Sequence, residues 1–294
     1  MEKLKDASPR WVKDAGDAAT RAYALGTQAA RPAPDFLIIG AKRGGTTSLF
    51  NYLLMHPGVL GLFPQLRGKK STDYFFKEQH RGQAWYRSHF HAEQYRALLG
   101  RRLGYRPVSG EASPYYLWDP RIAGQAAALA PGVKAIALLR DPVERAYSHH
   151  QERVHNGVEP LSFEEALRAE DIRLAGELEK MREDRGYYSA AHDFYPYRSR
   201  GVYLPQIENW HACFPREQLL VLRSEDMYRD VQGTFDAVCT FLGLPRFTLP
   251  STRTFNAGSR STMPEAARRE LGEFYEPHNA ALAAYLGREP LWAR

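Results

Sequence analysis

Residues 36–50 read FLIIGAKRGGTTSLF, and no other stretch constrains this chain as tightly. Residues 36–39 are an apolar run of strand length, Gly40 opens a turn, and Leu49, Phe50, Leu53 and Leu54 then recur at helical spacing. His56-Pro57-Gly58 is a strong helix stop. A strand that turns through glycines into a helix leaves successive backbone N–H groups facing one concavity, and the helix dipole adds partial positive charge there. Gly40, Gly44 and Gly45 permit close approach of a phosphate to the backbone. Thr46, Thr47 and Ser48 bring hydroxyl donors, and Lys42 and Arg43 bring fixed charge. The stretch predicts an anion-binding loop.

Two better-known nucleotide loops do not fit. The triphosphatase pattern G-x-x-x-x-G-K-[ST] finds its glycines at Gly40 and Gly45, but Thr46 stands at the lysine position. The basic residues lie inside the loop instead, which argues against a Mg-ATP enzyme whose lysine must reach the β- and γ-phosphates. The dinucleotide fingerprint G-x-G-x-x-G is not met either.

Further strands are expected at residues 107–109, 134–139 and 219–222, alternating with helices at residues 231–242 and 264–286. Residues 161–185 read as one long charged amphipathic segment, and residues 187–203 are rich in tyrosine. Strands alternating with helices predict an α/β fold with a central parallel sheet covered on both faces. Residues 1–34 form a helical N-terminal extension that ends in a stiff Ala-Arg-Pro-Ala-Pro linker, followed by a single domain over residues 35–294.

Residues 138–149 read LLRDPVERAYSH. Arg140 ends a strand, Asp141 and Pro142 start a helix, and Ser148 lies about two turns along it. An arginine fork at a strand end and a serine on the adjoining helix grip one phosphate from two sides. Arg145 is four residues from Asp141, the spacing of an intrahelical ion pair.

Together, IIGAKRGGTTSL, GEASPYY at residues 110–116 and LLRDPVERAYS resemble the sulfotransferase superfamily, in particular its glycosaminoglycan (heparan-sulfate-type) and bacterial carbohydrate branch. The likeness extends over nearly all of residues 35–292. It implies a P-loop-like fold and a donor, 3′-phosphoadenosine 5′-phosphosulfate (PAPS), that leaves as adenosine 3′,5′-bisphosphate. The resemblance carries donor contacts onto Gly44, Gly45, Thr46, Thr47 and Ser48 for the 5′-phosphosulfate, and onto Arg140 and Ser148 for the 3′-phosphate. It also carries the catalytic base onto Glu111. Where the family has its catalytic lysine this chain has Arg43, with Lys42 as understudy. A family loop that closes over the nucleotide has its nearest counterpart in residues 255–260, which carries a 3′-phosphate contact onto Arg260. Lys69 and Lys70, ahead of the aromatics at residues 74–76, lie where the family often keeps a lysine or glutamate near donor and acceptor, and Lys70 is the better match. Tyr203 belongs to a tyrosine set that reads either as an acceptor platform or as packing, and His149 and His150 are runners-up for acid–base work.

The expected reaction is transfer to a hydroxyl or amine of a glycan or small-molecule acceptor by in-line displacement, with fixed cations in place of a metal. A kinase-like phosphotransferase and a passive polyanion-binding protein are the alternatives. His149, His150 and His155 lack the spacing of a zinc set, and residues 110–113 are not a hydrolase nucleophile elbow. Formal net charge is +6, from 40 basic and 34 acidic residues, too mild an excess to indicate nucleic-acid binding. No apolar run nears the roughly 20 residues of a membrane span. Two cysteines and no secretory signal predict buried reduced thiols and a cytoplasmic protein, and the arginine excess over lysine suggests a bacterial source.

Overall fold

The computed structural model describes residues 10–63, 69–253 and 262–292. Five parallel strands form the sheet: β1 (Phe36–Gly40), β2 (Val59–Leu60), β3 (Val108–Ala112), β4 (Lys134–Leu139) and β5 (Leu219–Arg223), in the order β2-β3-β1-β4-β5. Phe36 is level with Gly110 on one side and Lys134 on the other. All five residues of β1 are buried, so the strand is apolar throughout rather than alternating. Leu37 and Ile39 pack with helices Ile122–Leu129 and Leu204–Cys213 on one face, while Phe36 and Ile38 pack with Thr46–Met55 and Val231–Leu242 on the other.

From β1 the chain moves toward β3 and β2; from β4 it moves to β5. The carboxyl ends of β1 and β4 therefore border the crevice where strand order reverses, the usual ligand position in an open α/β sheet. The two motifs read from sequence follow those two strand ends.

Several expectations shift in detail. The second strand runs over Val108–Ala112, so Glu111 lies inside it, and the two-residue β2 was not anticipated. The segment at residues 161–185 is two helices, Phe163–Leu174 and Glu177–Glu183, because Gly176 takes a left-handed φ of 73° between them. The N-terminal helix Arg10–Gly26 is docked onto the body, since Arg21 Nη1 donates to the Ser88 carbonyl and, at 3.1 Å, to its hydroxyl. Arg31, expected in a linker, is 2% exposed and donates to the Phe90 carbonyl.

Candidate active site

The loop after β1 is held against β4: Ala41 N donates to the Leu138 carbonyl at 2.9 Å. Gly44 sits so close to that strand that a Cβ there would fall 2.3 Å from Leu138 O, and Gly45, at φ 88°, caps the helix Thr46–Met55. These two positions need glycine for contact and for conformation. Within the first turn Thr47 is half-buried, whereas Thr46 and Ser48 are turned into the body, Ser48 without exposed surface. The Ser48 hydroxyl is therefore not an open ligand.

The Arg140 motif closes over this loop. Asp141 caps the helix Pro142–His155, accepting from the Val143 and Glu144 amides at 2.8 and 3.3 Å. That helix carries Ser148 toward the loop, and Arg43 Nε donates to Ser148 Oγ at 3.0 Å. Arg140 Nη1 in turn donates to the Arg43 carbonyl at 3.3 Å. Arg43, at φ 68°, is thus fixed between the two motifs.

A third segment enters from the far side. Lys70 Nζ donates to Thr47 Oγ1 at 2.8 Å and approaches Thr46 Oγ1 at 3.4 Å. Burial lowers the Lys70 pKa to about 8, with Asp73 opposing that shift. Asp73 holds the turn: its φ is 56°, and Oδ1 accepts from Ser71 Oγ at 2.6 Å.

Glu111 supports this segment from beneath. It is fully buried, and it accepts from Thr72 N at 2.6 Å, Tyr86 Oη at 2.8 Å and Tyr116 Oη at 3.0 Å. Burial raises its pKa to about 7 against the pull of those donors. An acceptor has no surface of Glu111 to meet, so the expectation of a base there is corrected: Glu111 latches residues 70–76 in place.

Other expectations change for similar reasons. Lys42 lies 3.8 Å from both Glu152 and Asp193, and burial draws its pKa to about 7. Its side chain is part-buried, 12% exposed, and paired with two carboxylates that compete with any ligand for its charge. His149 is fully enclosed against the Tyr197 ring, where burial and Lys42 push its pKa well below the usual histidine range, so it is no acid–base group for a substrate. His150 is held on the Leu161 carbonyl at 2.9 Å.

Tyr203 is 2% exposed and donates to the Arg140 carbonyl at 2.8 Å, which makes it a support for Arg140 and not an acceptor platform. Arg145 bonds the Tyr197 carbonyl instead of pairing with Asp141. Arg260 lies outside the described residues. Glu152, Asp193 and the Tyr86/Tyr116 pair escaped the sequence reading; only the Ser-Thr-Asp turn after Lys70 carried a local signal, as a short polar cluster favouring a turn.

Residues 33–274 match a family model described as a sulfotransferase domain. The chain belongs to the sulfotransferase family. A crystal structure of a sulfotransferase from Alicyclobacillus acidocaldarius is 29% identical, with a TM-score of 0.63 over 87% of this chain and 97% of that one. The human bifunctional heparan sulfate N-deacetylase/N-sulfotransferase 3 is 29% identical over 89% of this chain, and human heparan sulfate glucosamine 3-O-sulfotransferase 3B1 is 28% identical over 88%. This sulfotransferase spans 31% of the first relative's length and 65% of the second's. Among the described residues no helix is long and apolar enough to cross a membrane, and no group of three or more His, Cys, Asp or Glu gathers as a metal set.

Proposed function

We propose that the chain moves a sulfuryl group from PAPS to a hydroxyl or amine of a carbohydrate or glycosylated small molecule. The observation that carries this reading is the 3.0 Å bond from Arg43 to Ser148. It joins the strand-β1 loop to the strand-β4 motif over one crevice, giving two anion seats for a nucleoside with a phosphate at each end. The loop amides, Thr47 and Lys70 suit the 5′-phosphosulfate; Arg140 and Ser148 suit the 3′-phosphate. The heparan sulfate names of the relatives, N- and 3-O- alike, support a carbohydrate acceptor.

In the proposed reaction the acceptor oxygen or nitrogen attacks sulfur as the bond to the 5′-phosphate oxygen breaks. The electron pair of that bond goes to the phosphate, where Lys70, Arg43 and the loop amides meet the growing charge. The acceptor proton passes to a carboxylate. Asp73 is suited to take it, because it is half-buried beside Lys70 and faces an open cleft. We also read the protein as cytoplasmic, on the support of two free thiols, Cys213 and Cys239.

The test is thermal shift with adenosine 3′,5′-bisphosphate and, separately, with ATP and magnesium. Stabilisation by the bisphosphate without added metal is expected. A larger shift with ATP and magnesium would favour a kinase-like reading instead.

A further inference from the structure

A cleft of about 370 Å³ opens between the N-terminal helix and the segment that carries Lys70. Asp17, Ala18 and Arg21 form one wall; Lys69 and residues 71–73 form the other, with Trp85 and His89 also lining it. Asp73 lines this cleft and acts on the Lys70 ammonium, which rests on Thr47, so the cleft and the proposed reaction centre lie on either side of one turn. The helical wall lies outside residues 33–274, which match the family model, and its position is set by the bonds from Arg21 to Ser88.

The lining has a definite chemistry. Three cations (Arg21, Lys69, Arg81) and three carboxylates (Asp17, Asp73, Glu78) are mixed along its walls, Arg81 pairs with Glu78 at 2.5 Å, and the Arg81 guanidinium lies 5.1 Å from the Trp85 ring centroid. Balanced charge gives a polyanion no net attraction. Closely set donors and acceptors beside an indole suit a ring that bears hydroxyls and no charge. The volume is near the lower end of the roughly 300–1,000 Å³ usual for ligand pockets, room for a short saccharide rather than a long chain.

We propose that this cleft is the acceptor subsite for an uncharged sugar, with the helix face at residues 17–21 as its specificity wall. The inference rests on the sulfotransferase reading above.

Ala18 is exposed on that wall, so Ala18→Trp fills the cleft without removing a contact; Ala22→Trp, also exposed and on the same helix but not lining the cleft, is the control. Transfer of labelled sulfate from PAPS is measured to cellobiose and to heparosan oligosaccharides, alongside thermal shift with the bisphosphate. The expected result is labelling of cellobiose, a KM for it raised about tenfold or more in Ala18→Trp alone, and equal bisphosphate shifts in all three proteins. Labelling of heparosan but not cellobiose, labelling of neither, or an unchanged KM in Ala18→Trp overturns the subsite while a normal bisphosphate shift keeps the donor reading. Absence of the bisphosphate shift in the unmodified protein is the separate failure of the donor reading itself.

Discussion

The Lys70 ammonium donates to the Thr47 hydroxyl at 2.8 Å, which brings a cation from beyond β2 onto the first turn of the helix that follows β1. This supplies at the loop the charge that Lys42, paired with Glu152 and Asp193, does not. Lys70→Met is expected to lower kcat on the order of 10²-fold to 10³-fold, as for loss of one transition-state donor. Steady-state transfer of labelled sulfate checks it.

The same lysine sets a pH limit. Burial lowers its pKa to about 8, so it is charged below that pH and neutral above. In the unmodified protein kcat/KM is expected to fall as pH rises through about 8, and this limb should be missing from the residual activity of Lys70→Met. A pH–rate profile with an unchanged alkaline limb in the variant would assign the titration elsewhere.

Arg43 and Lys42 are expected to separate cleanly. Arg43 bridges to Ser148, so Arg43→Ala should cut turnover by about 10²-fold to 10³-fold. Lys42→Met removes one of the cations shared by Glu152, which keeps Arg43 and Arg153, and Asp193, which keeps Lys77 and Arg200, and should show chiefly as a modestly lower melting temperature. Turnover and thermal melts of the pair give the comparison.

Arg140→Ala is expected to weaken adenosine 3′,5′-bisphosphate binding more than it lowers kcat. Tyr203→Phe should do the same to a lesser degree, because the tyrosine acts by holding the Arg140 carbonyl at 2.8 Å. Calorimetric titration with the bisphosphate measures both, and a tighter complex in either variant would be contrary to the assignment.

Glu111 ties stability to acidity. Its pKa rises from 4.5 to about 7 on folding, so the folded protein binds the proton more tightly. The contribution is fully present below about pH 4.5 and is lost as pH rises through about 7, by up to roughly 3 kcal/mol. Chemical denaturation of the unmodified protein and of Glu111→Gln across this range should show the difference between them change in that direction. A difference independent of pH would mean that Glu111 titrates normally.

Local sequence determined the parts of this molecule that depend on neighbours along the chain. An apolar run followed by Gly44, Gly45 and a threonine pair makes a strand, a tight turn and a helix start wherever it is placed, and Asp141-Pro142 caps its own helix. The alternation of such units also determined a parallel sheet. Tertiary structure alone decided which charged groups face the crevice. Glu111, Lys42, His149 and Tyr203 have suitable chemistry, but each is engaged by residues distant in sequence: Tyr86 and Tyr116, Glu152 and Asp193, Tyr197, and the Arg140 backbone. Lys70 and Asp73 gain their importance only because the chain between β2 and β3 folds back over the loop, bringing Lys70 onto Thr47. Burial and pairing set a group's charge and access, and both depend on contacts between distant segments that no local pattern contains.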